Sequence, residues 1–86
     1  MPKVTIRYWA AAKEAAGLQE ESVEAITLSD LLNTVVASRK PDGRLADILA
    51  RSSFLVNADP VGRRPRRSIM LDEGAVVEVL PPFAGG

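Results

Sequence analysis

The sequence contains no cysteine and no histidine. Without cysteine, the chain can form no disulfide and can offer no thiolate for catalysis or metal binding. Without histidine, it lacks the commonest general base and the commonest metal ligand. These two absences narrow the chemistry that the chain can perform by itself.

The sequence also lacks an excess of either charge and a long apolar run. Eleven basic and eleven acidic residues give a net charge of zero, which does not indicate a general nucleic-acid or membrane binder. No apolar run is long enough to span a bilayer, and no signal-peptide pattern is present. With 86 residues, of which 47% are hydrophobic, we expect one small cytoplasmic domain.

The first third of the chain predicts two strands around a short helix. Residues 4–8 alternate between apolar and polar side chains, as a half-buried strand does. The Ala-rich segment Ala10–Ala16 favours a helix, and Gly17 suits its C-terminal cap. A β-branched segment at residues 22–26 predicts the second strand.

The clearest periodicity in the sequence predicts a second helix. Thr27 and Asp30 have the spacing of a capping box, with Ser29 as a competing N-cap. Residues 41–43 (Pro-Asp-Gly) contain the signals that end such a helix. The apolar residues recur at helical spacing and form one stripe, which we expect to face the core: Leu28, Leu31, Leu32, Val35 and Val36.

The remainder of the chain predicts one more helix and three short strands. A helix fits residues 44–51, and an apolar strand fits residues 54–56, followed by a turn at residues 57–60. A weak edge strand fits residues 69–71. The last strand, residues 76–80, is almost continuously apolar, so we expect it at the centre of the sheet and buried on both faces.

This order of elements predicts an α+β domain. A mixed sheet with a crossover helix on one face accommodates two early strands, a helix and a central final strand. That architecture is the β-grasp, or ubiquitin-like, fold. We expect it to occupy residues 1–80 and to be followed by an extended Gly-Gly tail at residues 81–86.

The tail carries the most specific chemical signal. Pro81 and Pro82 cannot donate to a sheet ladder, so they end the strand and favour a stiff exit. Gly85 and Gly86 have no side chains and can thread a narrow channel. If a partner adenylates the α-carboxylate of Gly86, a sulfur donor can displace AMP and leave a thiocarboxylate. The alternative is a frayed terminus without function.

Several segments resemble one known family. The tail PPFAGG, the strand VVEVL and the turn DEG before it resemble the MoaD/ThiS-like sulfur carriers, and within them the small subunits of molybdopterin synthase. The segments IRYWAAAKEAAG and FLVNADPV are similar to the first strand and helix and to the middle strand of that family. The similarity spans most of the chain, and the tail is its most specific part.

The resemblance implies a non-catalytic carrier with no tightly bound cofactor. In the family, an E1-like adenylating enzyme uses ATP to activate the terminal glycine, and a sulfurtransferase supplies sulfur. The tail then enters the large subunit of molybdopterin synthase, within a heterotetramer, and gives sulfur to cyclic pyranopterin monophosphate. Carried over to this sequence, Gly86 is the acceptor, Gly85 is the slim neck, and the stem is Pro81, Pro82, Phe83 and Ala84. Phe83 is bulkier than the residue expected there.

Other functions remain open from the sequence. A carrier for thiazole or cysteine synthesis would use the same terminal glycine. A ubiquitin-like protein modifier would join the activated Gly86 to a lysine of a target. A β-grasp binding module would not use the tail at all.

Two further features have alternative interpretations. Trp9 is predicted to pack under the first helix, and the alternative is an exposed hydrophobic patch that docks a partner. The only dense charge cluster predicts a solvated loop, with docking to an acidic surface on the activating enzyme or the synthase as its functional alternative. RNA binding fits it less well, because no aromatic residues are interleaved. The cluster comprises Arg63, Arg64, Arg66 and Arg67.

Overall fold

The computed structural model describes residues 1–39 and 43–82. These residues form the strands β1 (Lys3–Tyr8), β2 (Glu20–Glu24), β3 (Ser53–Val56), β4 (Asp59–Pro60) and β5 (Val76–Leu80), and the helices α1 (Ala10–Ala16), α2 (Leu28–Ala37) and α3 (Arg44–Arg51). The strands make one mixed sheet in the order β2-β1-β5-β3-β4. Only β1 and β5 run parallel among the paired strands of this described part. None of its helices is long and apolar enough to cross a bilayer.

Helices α1 and α3 have the predicted boundaries. The alanines of α1 favour helix because they lose no side-chain entropy on folding. The helix stops at Gly17, which takes a left-handed φ of 84° and donates its N–H to the carbonyl of Lys13. A left-handed residue at this position closes the last turn with little strain only if it lacks a Cβ.

The capping box of α2 is present as predicted. Thr27 Oγ1 accepts from the Asp30 N–H at 3.1 Å, and Asp30 Oδ2 accepts from the Thr27 N–H at 3.3 Å. Thr27, and not Ser29, is therefore the N-cap. The apolar stripe is also confirmed, since Leu28, Leu31, Leu32 and Val35 are buried and Val36 packs partly buried against the core. Pro41 and Asp42 of the predicted stop signal lie outside the described residues.

The second strand begins and ends two residues earlier than predicted. It spans Glu20–Glu24 and pairs antiparallel with β1, with Val4 opposite Val23. Beyond it, Ala25 is buried and Ile26 is 42% exposed. The prediction extended to Ile26 because this region is β-branched. The boundary is set instead by the register with β1.

The prediction of an edge strand at residues 69–71 is wrong. Ile69 and Leu71 are buried and Met70 is exposed, so the alternation is real. Met70 forms only an isolated bridge with Thr27, after a 3₁₀ turn at Arg66–Ser68. The strand next to β3 is instead β4, in a segment predicted to be a turn.

Strand β5 lies at the centre of the sheet, as predicted, but it is not buried on both faces. Val77 and Val79 belong to the core, together with the apolar stripe of α2. On the outer face, Val76, Glu78 and Leu80 are only half-buried. The end of this central strand therefore leads from the core to a partly open surface.

Candidate functional site

The described part of the predicted site is the base of the tail. Strand β5 ends at Leu80, Pro81 is half-buried, and Pro82 is exposed. The other predicted site residues, which are Phe83, Ala84, Gly85 and Gly86, lie outside the described residues. The structure therefore describes the surface from which the tail starts, and it does not describe the four residues that follow Pro82.

A groove of about 550 Å³ lies beside the base of the tail. Three parts of the chain form this exit groove: the junction of β1 and α1, the junction of α3 and β3, and the end of β5. The sheet register brings them together, because Tyr8 pairs with Val79 and Ser53 pairs with Leu80. The exit groove is lined by Trp9, Ala10, Ala11, Arg51, Ser53, Leu80, Pro81 and Pro82.

Trp9 is not packed under the first helix, which corrects the prediction. The residue is 43% exposed and lines the exit groove. Trp9 retains extended backbone angles after β1, so it faces away from the side on which Tyr8 is buried. Helix α1 covers the core side through Ala12 instead. The alternative, an exposed hydrophobic surface near the tail, agrees with this exposure.

A polar network fixes the end of β1 just before Trp9. The hydroxyl of Tyr8 donates to Glu21 Oε2 at 2.6 Å, and Arg39 Nη2 donates to the same oxygen at 2.6 Å. The guanidinium of Arg39 also lies 5.6 Å from the centre of the Tyr8 ring. Burial, reinforced by the hydrogen bond to Glu21, raises the pKa of Tyr8 far above its usual value. The sequence does not predict this network, because no sequence spacing joins residues 8, 21 and 39.

The outer face of the sheet carries a cation whose charge is paired. Arg7 Nε lies 3.2 Å from Glu20 Oε1, and Arg7 Nη1 lies 3.9 Å from Glu78 Oε1. Its partners stand beside it on β2 and β5, as the sheet register requires. Arg7 is therefore not an unpaired charge for a partner to neutralise.

The arginine cluster divides into two pairs. Arg66 stacks on Phe54 at 4.5 Å and donates to the carbonyl of Leu49 at 3.0 Å. Arg64 donates to the carbonyls of Val61 and Pro60. These two guanidinium groups hold the loop in place, so the prediction of a solvated loop is incomplete.

The other two arginines of the cluster are available at the surface. Arg63 and Arg67 are exposed, and neither makes a hydrogen bond or an ion pair with any residue that the structure describes. Docking of an acidic partner through them stays a prediction.

The exit groove has no donor set for a metal ion. The described residues that line it include no carboxylate, and residues 1–39 and 43–82 contain no group of three or more acidic side chains that could hold a metal ion. What the exit groove offers is apolar surface with one guanidinium, which suits contact with another protein.

Comparison with known proteins assigns the family. The ThiS family matches residues 6–86. The chain belongs to this family. The resemblance to the MoaD/ThiS-like sulfur carriers is thereby confirmed. A curated relative, the molybdopterin synthase sulfur carrier subunit of Chlamydomonas reinhardtii, is 28% identical over 98% of this chain and 99% of its own length.

Solved structures confirm the predicted fold. The small archaeal modifier protein 1 of Methanosarcina acetivorans aligns with a TM-score of 0.83 and 19% identity, over 100% of this chain and 98% of its own. Subunits 1 and 2 of the molybdopterin-converting factor from Helicobacter pylori have been solved as a complex. The matching chain aligns with a TM-score of 0.68 and 21% identity, over 98% of this chain and 99% of its own. At these identities the likeness establishes the ubiquitin-like β-grasp fold.

Proposed function

We propose that this ThiS-family chain is a sulfur carrier for molybdopterin synthesis and that sulfur is carried as a thiocarboxylate on Gly86. The observation that carries the proposal is the family match, which runs through the Gly-Gly pair to Gly86. The curated relative, similar over 98% of this chain, is a sulfur carrier subunit of molybdopterin synthase.

The proposed chemistry requires only a carboxylate from the carrier. An E1-like enzyme brings ATP, the Gly86 carboxylate attacks the α-phosphorus, and pyrophosphate leaves. A persulfide on a sulfurtransferase then attacks the acyl carbon, and AMP leaves. A thiol cleaves the resulting acyl disulfide by exchange, which leaves the thiocarboxylate on Gly86 and a disulfide on the donor. The absence of cysteine and histidine from the chain is compatible with this division of labour, in which the carrier is not the catalyst.

The place where the tail starts supports the proposal geometrically. The base of the tail is held by β5, which pairs with β1 on one side and β3 on the other. The four residues after Pro82 span at most about 14 Å when fully extended. A partner's active site can therefore receive Gly86 while its surface contacts the exit groove and the outer face of the sheet.

The proposed acceptor is cyclic pyranopterin monophosphate, bound by a large synthase subunit. The Chlamydomonas relative and the two-subunit complex from Helicobacter pylori favour this pathway. Carriers for thiazole or cysteine synthesis would load sulfur in the same way, so the identity of the acceptor needs its own measurement. That measurement is sulfur transfer from the loaded carrier to cyclic pyranopterin monophosphate in the presence of the host's large subunit.

The loading step can be tested by intact mass spectrometry. The chain is incubated with host extract, ATP and a sulfur donor, beside a variant that lacks Gly85 and Gly86. We expect a mass gain equal to the exchange of one oxygen for sulfur in the full chain and none in the variant. No gain, in an extract that loads a known carrier, would contradict the proposal. Isopeptide-linked conjugates to lysine would instead indicate a protein modifier.

A further inference from the structure

The exit groove combines apolar surface with a single charged side chain. Trp9, Leu80, Pro81 and two alanines supply the apolar part, and Arg51 supplies the charge. None of the described residues that line this groove is acidic. A cation beside apolar surface, with no counter-charge in the same groove, is an incomplete site that a partner can complete.

The contacts of Arg51 leave most of its guanidinium available. Arg51 is the last residue of α3 and is exposed. Its Nε donates to the carbonyl of Asp47 at 3.5 Å, which is long for a hydrogen bond. Within residues 1–39 and 43–82, its terminal nitrogens have no hydrogen bond and no ion pair. Two parallel N–H donors of this kind match a carboxylate bidentately.

Two other arginines of the described structure are paired with carboxylates. Arg39 binds Glu21 at 2.6 Å, and Arg7 lies between Glu20 and Glu78. Both have carboxylates within the fold. Arg51 has no carboxylate among the described residues, and it differs from Arg63 and Arg67, which have none either, because it lines the apolar exit groove.

We propose that the exit groove binds a surface segment of the enzyme that activates Gly86, in which an apolar side chain stands next to a carboxylate. The apolar side chain packs on Trp9 and Pro81, and the carboxylate pairs with Arg51. This inference rests on the proposed function and adds the chemistry of the contact. Arg51 then acts as a specificity residue for partner choice and takes no part in the reaction at Gly86.

The proposed ion pair should contribute more to binding than a pair on an open surface. Exposed ion pairs contribute little because water and salt screen them. Packing of the partner's apolar side chain over Trp9 excludes water from beside Arg51, so the attraction is stronger there. The pair also orients the carrier, since a wrong register would bring Arg51 against apolar surface without a counter-charge.

The test measures the steady-state adenylation of the full chain by its host's E1-like enzyme. The assay is ATP–pyrophosphate exchange, and the KM is that for the carrier chain. The variants are Arg51→Glu and Arg51→Met, with Lys3→Glu as a charge reversal at an exposed cation at the other end of β1, outside the exit groove. We expect Arg51→Glu to raise KM about tenfold or more while kcat stays within about twofold, because a desolvated pair is replaced by repulsion. Lys3→Glu should leave KM within about twofold of the wild type.

Salt dependence separates a charge contact from a structural role. For the wild type, KM should rise with ionic strength, and for Arg51→Met it should be higher at low salt and rise less steeply. Arg51→Met removes the charge but keeps an apolar stem. It therefore replaces Arg51→Glu in the test if circular dichroism shows that Arg51→Glu is unfolded.

Three results would overturn the inference: an unchanged KM for Arg51→Glu, equal losses for Arg51→Glu and Lys3→Glu, or an undiminished salt dependence for Arg51→Met. Each of these leaves the proposed function intact if the wild type is adenylated at Gly86. Failure of the wild type to be adenylated, by an enzyme that activates a control carrier, would instead overturn the proposed function.

Discussion

At the residue scale, the Tyr8 hydroxyl is the polar group whose removal should be most informative. It donates to Glu21 at 2.6 Å within the network that also contains Arg39. We expect Tyr8→Phe to lower the free energy of unfolding by about 1–2 kcal/mol, because a partly buried hydrogen bond is lost while Glu21 keeps its arginine. Urea denaturation at neutral pH measures this. A Tyr8→Phe variant as stable as the wild type would contradict the role of the hydroxyl.

The raised pKa of Tyr8 also predicts a pH dependence. The folded state binds this proton more tightly than the unfolded state, where tyrosine titrates near pH ~10. The contribution of Tyr8 is therefore complete below that pH and is lost as the pH rises above it. The wild type should lose stability faster than Tyr8→Phe above pH ~10. Tyr8 is the only tyrosine, so its phenolate absorbance should appear together with unfolding. Reversible ionisation with native circular dichroism would refute this.

At the scale of single elements, the start of α2 depends on its capping box. Thr27→Ala removes the acceptor for the Asp30 N–H, and we expect a loss of about 1 kcal/mol in the free energy of unfolding. Ser29→Ala is the matched control, because Ser29 was the competing N-cap in the sequence and does not fill that position. Denaturant unfolding of both variants measures the difference. Equal losses would mean that Thr27 stabilises α2 by something other than its cap.

The β3–β4 hairpin contains a strained residue, Ala58, whose replacement by glycine should stabilise the domain. Its turn places Asn57 at φ 50° and Ala58 at φ 70°, values that type I′ turns require and that glycine tolerates best. We expect Ala58→Gly to stabilise the domain by up to about 1 kcal/mol, since relief of strain exceeds the entropy cost of glycine. Ala50→Gly, in the right-handed backbone of α3, should destabilise by about 1 kcal/mol. Thermal unfolding compares them, and a destabilised Ala58→Gly would disprove the strain.

The elements that the sequence predicted well are those whose signals are local. Helices α1 and α3 follow from composition and from stops such as Gly17, and α2 follows from its capping box and apolar stripe. Residues 69–71 show the limit of such patterns. Alternation reports which side chains are buried, and Ile69 and Leu71 are buried, but it does not report the partner of a segment. That partner is the connection between β2 and α2, which only the folded chain brings near.

At the scale of the whole molecule, the candidate site could be predicted only in part. The chemistry of the tail can be stated from residues 81–86, because it needs no distant partner within the chain. The exit groove could not be predicted, since Trp9, Arg51 and Pro81 are far apart in sequence and meet through the pairing of β1, β3 and β5. Strand parity directs Trp9 away from the side of Tyr8, but it does not determine on which side α1 packs, so the exposure of Trp9 could not be predicted.

The whole molecule separates its stability from its proposed reactive group. All residues of the described core lie between Val4 and Val79, whereas the proposed acceptor is Gly86. Deletion of Gly85 and Gly86 should therefore abolish thiocarboxylate formation and change the free energy of unfolding by less than about 0.5 kcal/mol. Val77→Ala should do the opposite, because it removes buried apolar groups at the centre of the sheet and should cost about 2 kcal/mol.

Both measurements are needed on both variants. Denaturant unfolding gives the stabilities, and intact mass spectrometry gives the loading at a temperature at which both proteins are folded. The folded Val77→Ala protein should load sulfur as the wild type does. If the deletion lowers stability as much as Val77→Ala, the last two glycines belong to the folded unit. If the deletion variant still loads sulfur, the acceptor is not Gly86. We expect only the deletion to lose sulfur loading and only Val77→Ala to lose stability. A folded carrier whose reactive group lies outside the core requires this outcome.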